Sequence, residues 1–337
     1  MSNHKDNNGG QPGPKRSQCR DVFLFSHPRT ASNLLSRLLS DQPGWVQTEY
    51  HFQSTFMFAE KAMNLAPITA FTDEQRTVYG EMLKQGMEAL DEAVNDATTN
   101  DYSLFIKNHV VQIWEPSRLS QSIWGDALPP PFPFPGSTTD DDTTLTARTN
   151  PTILSDAFLN SVQPVFIVRH PALAFESWYR TESGSGTGTV DISDRSWGFY
   201  MSYTYSRQLY DWFASQAAEA SDGDAAPLIL VDADDIINET SITKLCQLCG
   251  MDPSLVRTQW GVTAPKDGED VTQRHLSYMG GLWNSTSIDK SKTSEAVDLD
   301  DKHQKWVTEF GQVVADELRK RSEEAMEDYL YLKSKRL

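Results

Sequence analysis

The chain has 337 residues, of which 38% are hydrophobic and 10% aromatic, so it can build a packed core and wholesale disorder is excluded. With 47 acidic against 30 basic side chains, the formal net charge is -17, which argues against nucleic acid, anionic lipid or acidic polysaccharide partners. An anionic ligand would need a local basic pocket. The chain has no apolar run of membrane-span length and no visible secretion signal, so we expect a cytoplasmic protein.

Short apolar runs alternate with helical patterns along the chain. Residues 22–25 form a continuous apolar run typical of a strand buried on both faces, and leucines at helical spacing follow directly in 32–39. Further strands are predicted at 103–107, 165–168 and 228–231, and helices at 72–97, 196–220, 237–250 and around 306–318. This alternation predicts an α/β fold with a central parallel β-sheet flanked by helices.

The predicted organisation is a flexible tail over residues 1–20, followed by one α/β domain over 21–337. A Pro-rich insertion at about 125–150 contains the segment PPPFPFPGSTTDDDTT. Two interpretations of it remain open: a solvated loop, or a lid in which Phe132 and Phe134 cover a substrate.

The turn between the first strand and the first helix concentrates polar side chains. In SHPRTASNLL, Arg29, Thr30, Ser32 and Asn33 surround Ala31 at a helix N-terminus, where free N–H groups can bind phosphate. The segment is not a Walker A loop, which argues against an ordinary nucleotide kinase or GTPase. On spacing alone, a plain turn capped by Ser and Asn explains it slightly better than a phosphate site does.

Three later segments place polar residues at the ends of predicted strands. In VFIVRHPALAFESWYR, Arg169 ends a strand and Ser177 lies eight residues later in the next helix, so both can reach one phosphate. In FIKNHV, Lys107 and His109 close another strand. The segment LILVDADDIINETSITKLCQLCG supplies a further strand and helix.

Taken in their order along the chain, these four segments resemble sulfotransferases that use 3′-phosphoadenosine 5′-phosphosulfate (PAPS), and most of all the fungal members. They are similar to the 5′-phosphosulfate loop, the I-K-T-H strand end, the 3′-phosphate segment and the Y-E-D-L unit of that family, and they span about residues 23–250. The resemblance implies the P-loop-like sulfotransferase architecture. It also implies PAPS as cofactor, adenosine 3′,5′-bisphosphate (PAP) as product, and no required metal.

The resemblance also implies roles for particular residues. Arg29 and Lys107 would stabilise the leaving phosphate, and His109 would take the proton of the acceptor hydroxyl. Glu49 is a rival base, because some family branches with Arg in the loop place a catalytic Glu about twenty residues beyond it; we favour His109. The side chains near Glu49 that resemble an acceptor pocket are Tyr50, His51, Phe52 and Phe56.

The chain departs from the family pattern in several places. The usual loop Lys and Gly are Arg29 and Ala31, and the tyrosine before the E-D pair is replaced by Ala233. The segment RHLSYMGGLW only loosely resembles the R-K-G-x-x-G-x-W segment, so Arg274 and Gly281 are weak candidates for a 3′-phosphate contact. The family's dimerisation motif is absent, which leaves the oligomeric state open.

Other chemically active side chains favour structural interpretations. Cys246 and Cys249 are spaced C-x-x-C but lack a second Cys pair or a His partner, so a zinc site is not expected. The adjacent Asp234 and Asp235 are interpreted as a structural pair, and no magnesium site is expected. His27 could line the active site, whereas His170 could simply close its strand.

The function expected from these patterns is sulfuryl transfer from PAPS to a hydroxyl of a small molecule, such as a specialised metabolite. One alternative keeps the fold but replaces the reaction by cyclisation, dehydration or isomerisation, since the departures at Ala233 and around Arg274 weaken the nucleotide site. A non-catalytic nucleotide-binding protein is a further alternative. Retention of Lys107 and His109 argues against it, because a binding protein has no need of a general base.

Overall fold

The computed structural model describes residues 19–125, 127–132, 149–184, 191, 194–195, 197–220, 226–263, 265 and 271–337. Residues 1–18 of the predicted tail lie outside these ranges, as does most of the Pro-rich insertion, including Phe134.

Five parallel strands form one sheet in the order β2-β3-β1-β4-β5. The strands are β1 (Val22–Ser26), β2 (Trp45–Glu49), β3 (Ser103–His109), β4 (Gln163–Val168) and β5 (Ile229–Asp232). The predicted α/β architecture with a central parallel sheet is confirmed.

Helices cover the sheet on both faces. They are α1 (Ser32–Leu38), α2 (Gln53–Leu65), α3 (Asp73–Thr99), α4 (Pro116–Trp124), α5 (Asp156–Ser161), α6 (Pro171–Ser183), α7 (Trp197–Tyr200), α8 (Thr204–Glu219), α9 (Ala233–Ile237), α10 (Ile242–Cys249), α11 (Gln273–Trp283), α12 (Leu299–Phe310) and α13 (Gln312–Lys333). Short 3₁₀ turns lie at Ile68–Ala70, Val110–Ile113, Pro253–Leu255 and Lys290–Lys292.

The central strands are continuous apolar runs because both faces of the sheet are covered. In β1, Phe23 and Phe25 pack into the core on one face, whereas Val22 and Leu24 pack into the core on the other. Strand β2 was not predicted from the sequence. It is an edge strand with partly exposed side chains, so it carries no apolar run that would reveal it.

The structure divides three of the predicted helices. The 196–220 region contains α7 and α8, and the 237–250 region begins at the end of α9 and continues through α10. The C-terminal pattern forms α12 and α13, which meet at Gly311, whose φ of 87° lies in the left-handed region. The long helix predicted at 72–97 is confirmed as α3, with Thr72 accepting a hydrogen bond from the Gln75 amide as its N-cap.

Phe132 does not cover a ligand site. Its ring is buried in the core, 5.0 Å from the Tyr79 ring centroid in an edge-to-face arrangement. Its backbone N–H donates to the Glu115 carboxylate across 3.1 Å. The lid interpretation is therefore wrong for Phe132, because the ring is buried among apolar side chains.

The strand order places a topological switch point between β1 and β4, the position at which open parallel sheets have their ligand-binding crevice. The chain leaves β1 toward β2 on one side of the sheet and leaves β4 toward β5 on the other, although β1 and β4 are neighbours. In open parallel sheets, ligands bind outside the carboxyl ends of the strands at such a switch point. Arg29 follows β1 and Arg169 follows β4, so both lie beside this crevice.

Candidate active site

The loop between β1 and α1 has an unusual backbone. Arg29 and Ala31 have φ values of 66° and 65°, in the left-handed region that non-glycine residues rarely adopt. The buried Thr30 hydroxyl donates to the His27 carbonyl across 2.7 Å and closes the loop from inside. Each left-handed residue costs roughly 1–2 kcal/mol, so the surrounding contacts must enforce this shape. Ser32 is buried at the first position of α1.

Three residues predicted for phosphate binding meet at the switch point. The Nε of Arg29 donates to the Oγ of Ser177 across 2.9 Å. The Nη1 of Arg169 donates to the backbone carbonyl of Arg29 across 3.1 Å, and its Nη2 donates to the Lys292 carbonyl across 3.1 Å. The Nε of Arg169 is buried and has no hydrogen-bond partner within the ranges that the structure describes.

The two guanidinium groups are close together, and among the described residues neither Arg29 nor Arg169 forms an ion pair. Burial is the largest effect on the pKa of both groups and lowers it, and the Arg29 charge lowers the pKa of Arg169 further. The carboxylates of Glu182, near Arg29, and of Asp234 and Glu176, near Arg169, raise these pKa values without direct contact. An anionic group bound in direct contact would therefore stabilise both cations.

Lys107 lies at the end of β3 and links the loop to β2. Its side chain is 2% exposed, and its Nζ forms an ion pair with Glu49. The same Nζ lies 2.5 Å from the Oδ1 of Asn33 and 4.7 Å from the centroid of the Tyr50 ring. Burial lowers the pKa of Lys107, whereas the Glu49 carboxylate raises it. The site residues Asn33, Lys107 and Glu49 are therefore in direct contact.

His109 follows Lys107 on the same face of β3, because side chains alternate along a strand. Its Nδ1 lies 2.8 Å from the Oγ of Ser26, and its ring centroid is 5.1 Å from that of Tyr50. Burial holds the pKa of His109 well below its usual 6.5, and Lys107, His27 and Arg29 lower it further. His109 is therefore held in its neutral form, in which one ring nitrogen carries a free lone pair, although its basicity is reduced in this conformation.

Helix α11 lies against the loop that carries Arg29. The Nη1 of Arg29 donates to the Tyr278 carbonyl across 3.1 Å, and the Nδ2 of Asn33 lies 3.0 Å from the Sδ of Met279. The Arg29 guanidinium also lies 5.3 Å from the Tyr278 ring centroid. Tyr278 was not singled out from the sequence, because no local pattern shows that α11 folds back onto a loop some 250 residues earlier.

Arg274 and Gly281, the weaker candidates on α11, do not meet Arg169 in any described contact. Arg274 forms a bidentate ion pair with Glu182 on α6, with both N–O distances 2.6 Å. The Tyr278 hydroxyl also donates to Glu182. Gly281 is exposed, and nothing described lies within 4 Å of the position of a Cβ there. The charge of Arg274 is compensated inside the protein.

The remaining candidates are structural in this conformation. Phe52 and Phe56 are buried in the core, so neither exposes its ring to an acceptor. His27 packs 4.8 Å from the Tyr203 ring, and burial lowers its pKa to about 4. His170 accepts a hydrogen bond from the Ala172 amide at the start of α6, and burial lowers its pKa to about 4.

The described part of the chain shows neither a metal-binding cluster nor a membrane-spanning helix. Among those residues, no group of three His, Cys, Asp or Glu side chains could hold a metal ion. Cys246 and Cys249 are free thiols there. Within the same ranges, none of the helices is both long enough and apolar enough to span a bilayer.

Comparison with known proteins identifies the family. No family model matches the chain. The sulfotransferase ppzF of Metarhizium majus (strain ARSEF 297) is 31% identical over 335 residues, covering 94% of this chain and 96% of that protein. The sulfotransferase ppzF of Metarhizium rileyi (strain RCEF 4871) is 31% identical over 327 residues, covering 94% and 95%. A solved sulfotransferase domain from the curacin biosynthetic pathway covers 89% of this chain and 97% of its own, at 13% identity and a TM-score of 0.35. Because the two fungal relatives match along nearly the whole length of both chains, the protein belongs to the sulfotransferase family.

Proposed function

We propose that the protein transfers the sulfuryl group of PAPS to a hydroxyl of a small-molecule acceptor and releases PAP. The observation that carries this proposal is the pair of half-buried guanidinium groups of Arg29 and Arg169 at the switch point of the sheet, neither of which forms an ion pair among the described residues. Lys107 and His109, on the adjacent strand, supply a third cation and a neutral imidazole.

The residues at the crevice fit a nucleotide that carries two anionic groups. Among the described residues, the buried Nε of Arg169 has no hydrogen-bond partner and its two Nη atoms donate to backbone carbonyls, so the Nε can still donate to a phosphate. Arg169 and Ser177 would hold the 3′-phosphate. Arg29 and the loop around Thr30, Ala31, Ser32 and Asn33 would hold the 5′-phosphosulfate. PAPS, when bound, supplies the activated sulfuryl group and a phosphate as leaving group.

Lys107 would stabilise the charge that develops on the leaving oxygen. Its ammonium is buried and held between Asn33 and Glu49, so it needs little reorganisation during the reaction. The transferred sulfuryl group carries less charge than a phosphoryl dianion. Two or three protein cations can therefore perform the part that magnesium performs in phosphoryl transfer.

His109 would take the proton from the acceptor hydroxyl. The imidazole is neutral because it is buried near Lys107, His27 and Arg29, and a nearby phosphate would offset these cations and raise its basicity. Glu49 is the weaker candidate, because its carboxylate forms an ion pair with Lys107 and would have to leave that contact to take a proton.

One observation keeps a repurposed enzyme of this fold as the second candidate. The Nη groups of Arg29 and Arg169 already donate to the carbonyls of Tyr278 and Lys292, and Arg274 is paired with Glu182. A protein that no longer binds PAPS would favour such internal partners. Its reaction would then be a cyclisation, dehydration or isomerisation.

Calorimetric titration with PAP separates the two candidates. We expect micromolar binding of PAP, much weaker binding of AMP and ATP, and loss of binding in Arg169→Ala, because the 3′-phosphate needs that guanidinium. Arg207→Ala is the matched control, since Arg207 is paired with Asp328 on the surface. Absence of PAP binding by the wild-type protein would contradict the sulfotransferase reaction and favour the repurposed enzyme.

A further inference from the structure

Ser26 is the last residue of β1 and lies opposite His109 in the parallel ladder. Its side chain is fully buried, and its Oγ lies 2.8 Å from the Nδ1 of His109. No role was assigned to Ser26 from the sequence, although it is the polar residue that closes the apolar run VFLFS. Because the hydroxyl is buried, water does not compete for this contact.

The Ser26 hydroxyl has a second contact, which indicates whether it donates to His109 or accepts from it. The Oγ also lies 3.3 Å from the backbone carbonyl of Asn108, which can only accept a hydrogen bond. When the hydroxyl donates its single proton to that carbonyl, its lone pairs face His109. The Nδ1 of His109 is then the donor.

We propose that Ser26 is a positioning residue that holds His109 as the Nδ1–H tautomer and so makes Nε2 the proton-accepting nitrogen. The catalytic part of this inference rests on the proposed sulfotransferase reaction. In that reaction the acceptor O–H bond breaks as an Nε2–H bond forms, and the acceptor oxygen forms the new bond to sulfur. The sulfur–oxygen bond to the leaving phosphate breaks, and the Nδ1–H stays with Ser26 throughout.

The groups that surround the imidazole are cationic, neutral or aromatic, and Ser26 supplies a neutral hydrogen-bond partner among them. Lys107 on β3, and His27 and Arg29 in the loop after β1, face His109 with positive or neutral charge, and Tyr50 after β2 contributes its ring. No carboxylate is in described contact with the imidazole, and the Glu49 carboxylate is paired with Lys107. A hydroxyl therefore orients the ring without adding a counter-charge, and it leaves the choice of tautomer to hydrogen bonding alone.

The tautomer is measurable without any enzymatic turnover. Two-bond ¹H–¹⁵N correlation spectra of the histidine rings, with His109→Gln to assign the signals, should show the Nδ1–H form of His109 in the wild-type protein. In Ser26→Ala the ring should shift toward the Nε2–H form, which a solvated neutral histidine side chain favours in water. An Nε2–H form in the wild-type protein, or the same tautomer in both proteins, would overturn the proposal.

Steady-state kinetics with PAPS and an acceptor test whether this orientation of His109 contributes to turnover. We expect Ser26→Ala to lower kcat about ten-fold, as loss of an orienting partner typically does, with PAP affinity unchanged. Ser26→Thr keeps the hydroxyl and should recover most of the loss. Ser103→Ala, at the opposite end of β3, is the control for removal of a buried hydroxyl. An unchanged kcat in Ser26→Ala would contradict the positioning role, whereas absence of turnover by the wild-type protein would contradict only the proposed reaction.

Discussion

The Nε of Arg29 donates a hydrogen bond to the Oγ of Ser177 across 2.9 Å, although 148 residues separate them in the chain. The contact joins the loop after β1 to helix α6 after β4, so it closes the crevice at the switch point. Ser177, which the sequence assigns to the 3′-phosphate segment, therefore contacts Arg29, which it assigns to the 5′-phosphosulfate loop.

Replacement of Ser177 tests whether this junction binds nucleotide. Ser177→Ala should weaken PAP binding about ten- to hundred-fold, because it removes a hydroxyl that contacts a charged guanidinium, an interaction typically worth about 1.5–3 kcal/mol. Titration calorimetry measures the change. Ser183→Ala, at the exposed end of the same helix, should leave the affinity unchanged. Equal affinities in all three proteins would contradict a role for Ser177 in the site.

The identity of the general base can be decided by two neutral amide variants. His109→Gln should lower kcat about 10²–10⁴-fold, because a positioned base contributes that much, while PAP affinity stays close to wild type. Glu49→Gln should have a smaller effect on kcat, because it breaks the ion pair with Lys107 but leaves the imidazole in place. A larger loss of kcat in Glu49→Gln than in His109→Gln would reverse the assignment.

His27 should make the stability of the protein depend on pH. Its pKa is about 4 in the folded protein because it is buried, against 6.5 when it is unperturbed. Between these values the unfolded chain binds a proton that the folded chain does not, so the free energy of unfolding falls as pH falls. The slope from this one group is about 1.4 kcal/mol per pH unit.

Urea denaturation at several pH values measures this slope. His27→Asn keeps a donor for the Pro28 carbonyl and should reduce the slope between pH 6.5 and about 4 by the contribution of one proton. His275→Asn, at an exposed position on α11, is the control and should leave the slope unchanged. Parallel curves for wild type and His27→Asn would refute the assignment.

Ala31 should be less favourable than glycine at its position. Its φ of 65° is left-handed, where a Cβ is strained, so Ala31→Gly should raise the free energy of unfolding by about 0.5–1 kcal/mol after the entropy cost of glycine. Ala89→Gly is the matched control on the exposed face of α3, and it should lower stability by about 1 kcal/mol. A decrease in both variants would show that the loop is not strained at Ala31.

Gly250 and Gly125 allow the cost of a close contact to be separated from the cost of backbone strain. Both end helices, with φ values of 70° and 69°, so an alanine at either position is strained by about 1 kcal/mol. A Cβ at Gly250 would also overlap the Sγ of Cys19, whereas nothing described lies within 4 Å at Gly125. Thermal unfolding should therefore show that Gly250→Ala lowers the free energy of unfolding by about 1–3 kcal/mol more than Gly125→Ala does.

A variant of Cys19 tests whether the close contact causes the greater loss of stability in Gly250→Ala. In a Cys19→Ala background the thiol is absent, so Gly250→Ala should cost about as much as Gly125→Ala. If the excess loss persists without the thiol, the contact between Cys19 and Gly250 is not its source.

The sequence alone determined the central strands and the α/β class, because strands covered on both faces need unbroken apolar runs such as that of 22–25. The sequence did not reveal β2, because an edge strand has side chains in solvent and needs no such run. It also did not show that Phe132 is buried in the core. The residue pattern of a proline-rich segment does not indicate whether its aromatic rings face a ligand or the protein interior.

Motif order placed Arg29, Lys107, His109 and Arg169 at or just after strand ends and Ser177 in the following helix, and residues that follow neighbouring parallel strands must emerge at one edge of the sheet. Only the tertiary structure decided their partners. Side-chain contacts between segments far apart in the chain, such as Ser26 with His109 and Glu182 with Arg274, leave no local periodicity or spacing in the sequence. They arise from strand register and helix packing, which depend on the whole fold at once.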